Sequence, residues 1–315
     1  MKKENKEKKE NRKEETAQLK AEIKNLREQL LGQTQQIRDK GLPILVLVEG
    51  WAAAGKGTLI NELISEIDPR FYNVFSPVLA PEAERRTPFL QPYAAAIPEN
   101  GKIMFYDSGW MEDVVRKSMH RDITREEYKI RLRSVNEFER QLRDGGYLLL
   151  KLFVDIDDEE QRKRLTTLRG NYETEWRVTD EDLWQYKEYK QFRQAYTAFM
   201  EKTGKEIPWH VVDGSRKTLA ARDALKLLVE QVDEALTRGR YVGKPFKESF
   251  PLLPMPKLSE VDLSPALSDE EYKKELKKLQ ARLGELHNRI YRKKIPVILC
   301  YEGWDAAGKG GNIRR

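Results

Sequence analysis

The sequence has very few of the residues that build disulfide-linked or zinc-centred folds. It contains one cysteine, Cys300, and three histidines among 315 residues. One cysteine cannot close an internal disulfide, and so few cysteine and histidine side chains cannot hold a structural zinc ion. These absences predict a reducing, cytoplasmic setting.

Long apolar runs and targeting signals are also missing. No uninterrupted apolar stretch approaches the roughly 18 residues that a membrane span needs. The first 15 residues alternate lysine and glutamate, so they lack the apolar core of a secretory signal and the acid-poor composition of a transit peptide. We therefore expect a soluble protein with no membrane partner and with a charged, disordered tail over residues 1–15.

Charge of one sign is not in large excess. The 58 lysines and arginines against 52 acidic residues leave a net charge of +6. This near balance predicts a well-solvated surface with local basic patches. It does not require nucleic acid as a partner, and we expect none.

A long internal repeat divides the chain. Residues 44–60, ILVLVEGWAAAGKGTLI, recur at 297–313 as VILCYEGWDAAGKGGNI. A long amphipathic helix is predicted before each copy, and each copy is predicted to contain a strand, a glycine-rich loop and the start of a helix. The sequence thus predicts a first module, a proline-rich linker over residues 246–268, and the beginning of a second, truncated module over residues 269–315.

Between the two copies, apolar runs of strand length alternate with helical patterns. This alternation predicts a three-layer α/β sandwich around a central parallel sheet. Strands are predicted at 72–76, 102–106, 147–154 and 209–212, and helices at 126–144, 158–168, 179–202 and 218–238.

The repeated segment carries a phosphate-binding pattern. Residues 50–56 fit GxxxxGK between an apolar strand and a helix. In such a loop, backbone N–H groups converge on phosphate oxygens, the helix directs its positive end at them, and the lysine adds a point charge. The predicted phosphate-binding residues are Gly50, Ala53, Ala54, Gly55, Lys56, Gly57 and Thr58, and those of the second loop are Gly303, Asp305, Gly308, Lys309 and Gly310.

The loops depart from the usual pattern at the position that helps to hold magnesium. That position normally carries a serine or threonine, but here it is Gly57 in the first loop and Gly310 in the second. Mg²⁺ must then be held by carboxylates, and the candidates are Asp107 at a predicted strand end and Asp305. The first loop has Ala52 at the position of Asp305, and an alanine cannot coordinate a metal.

Four segments together resemble the family-two polyphosphate kinases. They are EGWAAAGKG at 49–57, EGWDAAGKG at 302–310, IDPRFYNVFSP at 67–77 and YDSGW at 106–110. The tandem arrangement is similar to the two-module subgroup, the polyphosphate:AMP phosphotransferases. The resemblance covers residues 16–245 as one module, and it implies a P-loop kinase-like fold with a helical lid.

The resemblance also implies an activity and a set of residue roles. The family transfers a phosphoryl group between inorganic polyphosphate and a nucleotide such as AMP or ADP, with Mg²⁺, and an oligomer is implied. Lys56 and Asp107 would be catalytic, with Asp107 holding Mg²⁺. The implied polyphosphate contacts are Arg85 and Arg86 in a channel segment and Arg162, Lys163, Arg164, Arg169 and Arg177 in the lid.

Two departures from the family pattern leave three hypotheses open. Ala52 lacks the loop carboxylate, and Ser108 stands where the family has an arginine. In the first hypothesis, the chain is a polyphosphate-dependent nucleotide phosphotransferase whose first module is weakened. In the second, the first module is non-catalytic, and it either binds polyphosphate or assembles an active second module. An ATP-dependent nucleotide kinase is the third hypothesis, which the missing hydroxyl after Lys56 disfavours.

Other conspicuous residues receive structural interpretations. Trp51 and Trp176 are predicted in the core or at an interface rather than as platforms for bases. His120 has no partner that the sequence reveals. Asp155 and Asp157, which follow a strand, are predicted to cap the next helix rather than to bind a metal.

Overall fold

A computed structural model describes residues 2–77, 87–238, 257–262 and 264–314. The chain divides into two compact units, Met1–Pro245 and Phe246–Arg315. The predicted channel residues Arg85 and Arg86 lie outside the described residues, as does most of the predicted linker. No helix within the described ranges is both long and apolar enough to cross a membrane.

A five-stranded parallel sheet forms the centre of the first unit. Its strands lie side by side in the order β2 (Tyr72–Phe75), β3 (Ile103–Asp107), β1 (Ile44–Gly50), β4 (Leu148–Asp155) and β5 (Trp209–Asp213). All four neighbouring pairs are parallel. The carboxyl ends of the strands therefore meet at one edge of the sheet, where loops from distant parts of the sequence come together.

Helices cover both faces of this sheet. They are α1 (Lys2–Asp39), α2 (Lys56–Ile64), α3 (Gln91–Ala95), α4 (Trp110–Met119), α5 (Arg125–Asp144), α6 (Asp158–Arg169), α7 (Asp180–Lys187), α8 (Tyr189–Thr203) and α9 (Lys217–Arg238). Helices α1, α2 and α9 pack together, and α4, α5 and α8 form another group. The predicted α/β sandwich is confirmed, but the helix predicted over 179–202 is two helices that meet at Glu188.

The long N-terminal helix corrects one expectation. The disordered tail predicted over residues 1–15 is wrong, because α1 continues back to Lys2. Lysine and glutamate are good helix formers, so an alternating run of them extends a helix that packing has already nucleated. Its apolar stripe is buried, as at Ile23 and Leu30, and the Gln33 amide donates to the Val229 carbonyl of α9 at 3.1 Å.

A buried ion pair lies under the sheet. Lys151 of β4 is fully buried, and its ammonium donates to Glu139 of α5 at 2.7 Å and to the Thr203 carbonyl at 2.8 Å. The other Glu139 oxygen accepts from Trp110 Nε1 at 3.0 Å. This network explains how one lysine can interrupt an otherwise apolar central strand.

The end of β1 leaves no room for a side chain. Gly50 has φ +144°, and a β-carbon there would lie 2.3 Å from the Val154 carbonyl oxygen. We expect Gly50→Ala to lower the free energy of unfolding by roughly 3 kcal/mol, because it forces β1 and β4 apart. Urea denaturation measures this. Gly32→Ala is the control, since nothing lies within 4 Å of its new methyl group in α1, and it should be neutral or stabilising; equal losses would contradict the interpretation.

The second unit contains helix α10 (Asp269–Lys293) and the short helix α11 (Lys309–Arg314). Ser268 caps α10 with a reciprocal hydrogen bond to Glu271. The strand predicted before the second loop does not form in the described residues, where Ile298 and Leu299 are exposed. A strand needs a neighbour for its backbone hydrogen bonds, and this segment has none there.

Candidate phosphate-binding site

The first loop connects β1 to α2 at the carboxyl edge of the sheet. Ala53 and Gly55 take the left-handed conformation, with φ 58° and 95°, which turns the chain sharply into α2. The first N–H groups of α2 have no partners inside the helix, and they point at the space above the loop. Gly55, Lys56 and Gly57 therefore form the positive helix end that the sequence predicts.

The Lys56 side chain folds back over its own loop. Its ammonium donates to the carbonyls of Gly50 and Trp51 at 3.2 and 3.3 Å. These weak bonds hold the charge above the helix N-terminus, where a phosphate would meet it. Lys56 is thus placed as the loop motif requires.

The second loop has the same local conformation. Gly303, Ala306 and Gly308 have φ values of 158°, 59° and 81°, which match Gly50, Ala53 and Gly55. Lys309 donates to the carbonyls of Gly303 and Trp304, both at 2.7 Å. Asp305 lies in this loop, so the two loops differ in chemistry at the position of Ala52 and not in backbone shape.

Asp107 reaches the first loop from the end of the neighbouring strand β3. A β-carbon added to Gly57 would lie 3.6 Å from Asp107 Oδ2, so the carboxylate occupies the place next to the absent hydroxyl. Burial raises the pKa of Asp107, while Lys56 opposes the rise. No described residue donates a hydrogen bond to this carboxylate. A half-buried carboxylate beside a phosphate loop fits Mg²⁺, which is held by one or two carboxylates together with substrate phosphates.

A second buried carboxyl group lies behind the loop. Glu49 is 1% exposed, and its Oε1 accepts from the backbone N–H groups of Met111 at 2.9 Å and Glu112 at 3.4 Å. Burial raises its pKa to about 8, the charge of Glu112 adds to the rise, and Lys56 opposes it. Sequence reasoning missed Glu49, although the repeat signalled it, because Glu302 holds the same place before the second loop.

The pKa of Glu49 predicts a pH-dependent stability. The raised pKa means that the folded protein favours the protonated Glu49 carboxyl group. The contribution of this group to the free energy of unfolding is therefore fully present below about pH 4.5 and is lost as pH rises towards about 8. Glu49→Gln cannot ionise at this position. We therefore expect its free energy of unfolding, relative to that of the natural chain, to rise by roughly 2 to 4 kcal/mol from about pH 5 to about pH 8. Urea denaturation at both pH values measures the difference, and a difference that does not change with pH would contradict the assignment.

Two glutamines attach α6 and α7 to the loop. Gln185 of α7 accepts from the Ala52 N–H at 2.8 Å, and Gln161 of α6 donates to the Ala52 carbonyl at 3.2 Å. Gln161 also donates to Gln185 at 2.9 Å, and Gln185 donates to the Tyr196 hydroxyl at 2.9 Å. Both amides are buried. No sequence signal distinguishes them from surface glutamines.

Between the loop and α7 lies a small cavity of about 30 Å³. Its walls include Ala52, Lys56, Glu112, Arg116 and Glu181. This volume holds about one water molecule and no nucleotide. Helix α7 must therefore move if a nucleotide is to enter on this side of the loop.

Helix α7 also contacts the end of α4. His120 stacks on Trp184 with ring centroids 3.9 Å apart, and its Nε2 lies 3.0 Å from both Glu181 oxygens. No local pattern reveals these partners of His120, because they lie about 60 residues away along the chain.

The structure separates the predicted lid cations into two groups. Arg162, Arg169 and Arg177 are exposed, and Lys163 pairs with Glu160. Arg164 instead donates to the carbonyls of Ala53 and Ala54 at 3.3 and 2.9 Å and to Gly214 at 2.7 Å. These contacts brace the loop against α6 and the segment after β5, and a contact of Arg164 with polyphosphate stays a prediction.

The structure also tests the interpretations of the tryptophans and of the aspartates after β4. Trp51 is buried as predicted, stacks on Tyr189 at 4.1 Å and donates to Asp155 at 2.7 Å. Trp176 is 72% exposed, so it does not lie in the core of this chain, and its place at an interface stays a prediction. Asp157 caps α6 as predicted. Asp155 does not cap it, because it pairs with Trp51 and Arg193.

Comparison with known proteins places this arrangement among relatives. The profile of the family Polyphosphate kinase 2 (PPK2) matches residues 7–240 and 266–315. The polyphosphate:AMP phosphotransferases of Pseudomonas syringae pv. tomato and Pseudomonas aeruginosa are each 28% identical to this chain, over 94% and 92% of its length. The chain spans 60% of the length of each of these relatives.

A solved structure supports the fold. The polyphosphate kinase 2 of Arthrobacter aurescens TC1 superposes with a TM-score of 0.64 over 70% of this chain and 80% of that one, at 24% identity.

Proposed function

The chain belongs to the polyphosphate kinase 2 family, and we propose that it takes part in the transfer of a phosphoryl group from inorganic polyphosphate to AMP, giving ADP. The observation that carries the proposal is the meeting of Lys56 and Asp107 across Gly57 at the start of α2. The loop amides and Lys56 bind phosphate oxygens, and Asp107 holds Mg²⁺. When bound, the metal would neutralise charge on the transferring phosphoryl oxygens.

The residues have distinct parts in this proposal. The helix end and Lys56 orient the phosphates in line, which is the main protein contribution to phosphoryl transfer. The exposed Arg162, Arg169 and Arg177 bind the polyphosphate chain, since guanidinium groups make paired contacts with phosphate. The cytoplasm as location and an oligomeric state belong to the proposal as well.

A second candidate is a supporting role for the first module. Ala52 supplies no carboxylate, and the glutamine contacts hold the lid against its backbone. Glu112 and Glu181 line the cavity beside Lys56, which disfavours an anionic ligand there. Under this candidate, residues 269–315 begin a second module that carries Asp305 and the catalytic activity, while residues 16–245 bind polyphosphate or assemble the protein.

Restoring the family residues distinguishes the two. The transfer of phosphate from polyphosphate to AMP is measured with Mg²⁺ for the natural chain and for Ala52→Asp/Ser108→Arg. A catalytic first module should gain about tenfold or more in rate, because a metal ligand and a cation are returned to the site. Ala53→Asp/Ser108→Arg is the matched control, since it adds the same charges one residue away.

The other outcomes are equally informative. No transfer by either protein, with tripolyphosphate binding retained, favours the supporting role. If the natural chain shows neither transfer nor tripolyphosphate binding, then the catalytic candidate and a polyphosphate-binding role for the first module are both overturned, and only a role in assembly is left. Transfer from ATP alone, with no response to polyphosphate, would favour an ATP-dependent nucleotide kinase.

A further inference from the structure

The first turn of α4 has no cap of its own. The residue before the helix is Gly109, which has no side chain to accept from the free N–H groups. Those groups still need partners, because the start of α4 is buried against β1. Glu49, which lies in β1, supplies an acceptor for them. Its carboxyl oxygen accepts from the N–H groups of Met111 at 2.9 Å and Glu112 at 3.4 Å.

This contact lies next to a constrained stretch of backbone. Ser108, between Asp107 and α4, has φ 68°, a conformation that serine rarely adopts. Its N–H donates to the Val48 carbonyl at 3.0 Å. A β-carbon on Gly109 would lie 2.5 Å from Leu47 Cδ1 and 3.3 Å from Glu49 Oε1. The turn is therefore held between β1 on one side and α4 on the other.

Asp107 is the first residue of this stretch. Its carboxylate faces Gly57 only while the backbone from Asp107 to Gly109 keeps its present course. Glu49 is the side chain that joins the far end of that stretch to the strand leading into the phosphate loop. It touches neither a phosphate position nor the metal position directly.

We propose that Glu49 is a positioning residue, whose buried carboxyl group anchors the first turn of α4 and thereby fixes Asp107 opposite the phosphate loop. This rests on the proposed function only in taking Asp107 as the metal ligand. The anchoring depends on the side-chain oxygen that accepts from the first-turn N–H groups of α4. A glutamine has such an oxygen and can replace Glu49, whereas an alanine cannot. Glu302 holds the corresponding place before the second loop.

Hydrogen exchange tests the anchoring without any ligand. The natural chain is compared with Glu49→Ala and Glu49→Gln by mass spectrometry of the segment 107–114. We expect exchange in Glu49→Ala to be about tenfold faster at this segment, because the first-turn amides lose their acceptor, and exchange in Glu49→Gln to be no faster than in the natural chain. Val115→Ala is the matched control, since it removes buried packing from the same helix and leaves its first turn alone.

Metal binding tests the consequence for Asp107. The affinity for Mn²⁺ in the presence of tripolyphosphate is measured by electron paramagnetic resonance. Glu49→Ala should weaken it about tenfold, as the loss of residues behind a metal ligand commonly does, whereas Glu49→Gln and Val115→Ala should not. A structural role alone would lower the melting temperature in both alanine variants without moving the Mn²⁺ affinity of either.

Several results would overturn the proposal. They are unchanged exchange at 107–114 in Glu49→Ala, equal damage from glutamine and alanine, or an equal loss of Mn²⁺ affinity in Val115→Ala. A failure of the proposed function looks different. In that case the natural chain and Asp107→Ala bind Mn²⁺ alike, and the exchange measurement still decides whether Glu49 anchors α4.

Discussion

Replacing Lys56 with alanine is expected to weaken tripolyphosphate binding and to lower any phosphoryl transfer by the first module about a hundredfold or more. The Lys56 side chain lies over its own loop, and its ammonium group donates to the carbonyls of Gly50 and Trp51 at 3.2 and 3.3 Å. Lys56 lowers the pKa of both Asp107 and Glu49, whereas Glu112 raises the pKa of both. Removing Lys56 therefore leaves carboxyl groups facing an anionic ligand with their main counter-charge gone.

Calorimetric titration with tripolyphosphate and the transfer assay measure this effect. Lys226→Ala is the control, because it removes the same charge from an exposed position on α9 whose ion pair with Glu230 is 3.9 Å long. The two variants should have similar melting temperatures. If Lys56→Ala and Lys226→Ala bind tripolyphosphate equally well, then the first loop is not a phosphate site, and neither catalysis nor polyphosphate binding by this loop can stand.

Replacing Lys151 with methionine is expected to lower the free energy of unfolding by about 3 to 5 kcal/mol at neutral pH. Methionine fills nearly the same volume, but among the described residues it leaves buried Glu139 with only the Trp110 indole as a partner. Burial already raises the pKa of Glu139, and Lys151 opposes that rise. Without the lysine the pKa rises further, so the loss should be largest at about pH 8 and smaller at about pH 5, where the carboxyl group is protonated.

Urea denaturation at the two pH values provides the measurement. Lys151→Met/Glu139→Gln should recover at least about 1 kcal/mol, since a neutral amide costs less to bury than an unpaired carboxylate. Lys226→Met is the surface control and should change stability by less than about 0.5 kcal/mol. A loss of that small size in Lys151→Met would mean that water reaches the pair.

Most of the fold follows from local patterns in the sequence. The strands predicted at 72–76, 102–106, 147–154 and 209–212 match β2, β3, β4 and β5 to within about two residues. The apolar runs at β3 and β4 mark strands that are buried on both faces, and Lys151 does not break the run in β4 because its charge is paired. The prediction failed at residues 1–15 and at Glu188, where helical composition alone does not locate a helix boundary.

The candidate site was only half predictable. Lys56 and Asp107 carry a sequence signal, because the loop motif and the end of a strand are local features. Arg164 illustrates the limit, since a cation in a basic segment predicts a phosphate contact, yet its donors reach loop carbonyls. His120, Gln161 and Gln185 depend on contacts between residues far apart in sequence, for which no local pattern exists.

The two loops separate what each level of structure decides. The motif GWxAAGKG takes the same backbone conformation in the first unit, where a sheet surrounds it, and in the second, where Ile298 and Leu299 before it are exposed. Glycine's access to positive φ and the lysine's reach to its own loop carbonyls are short-range properties, so the sequence by itself determined the loop. The strand before the loop required partner strands, because backbone hydrogen bonds in a sheet come from neighbours. Three contacts were decided by the tertiary structure alone. They join Asp107 to Gly57, Glu49 to the start of α4, and the two glutamines to Ala52. Each contact joins elements that are separate in the sequence and become neighbours only when the sheet and its helices assemble.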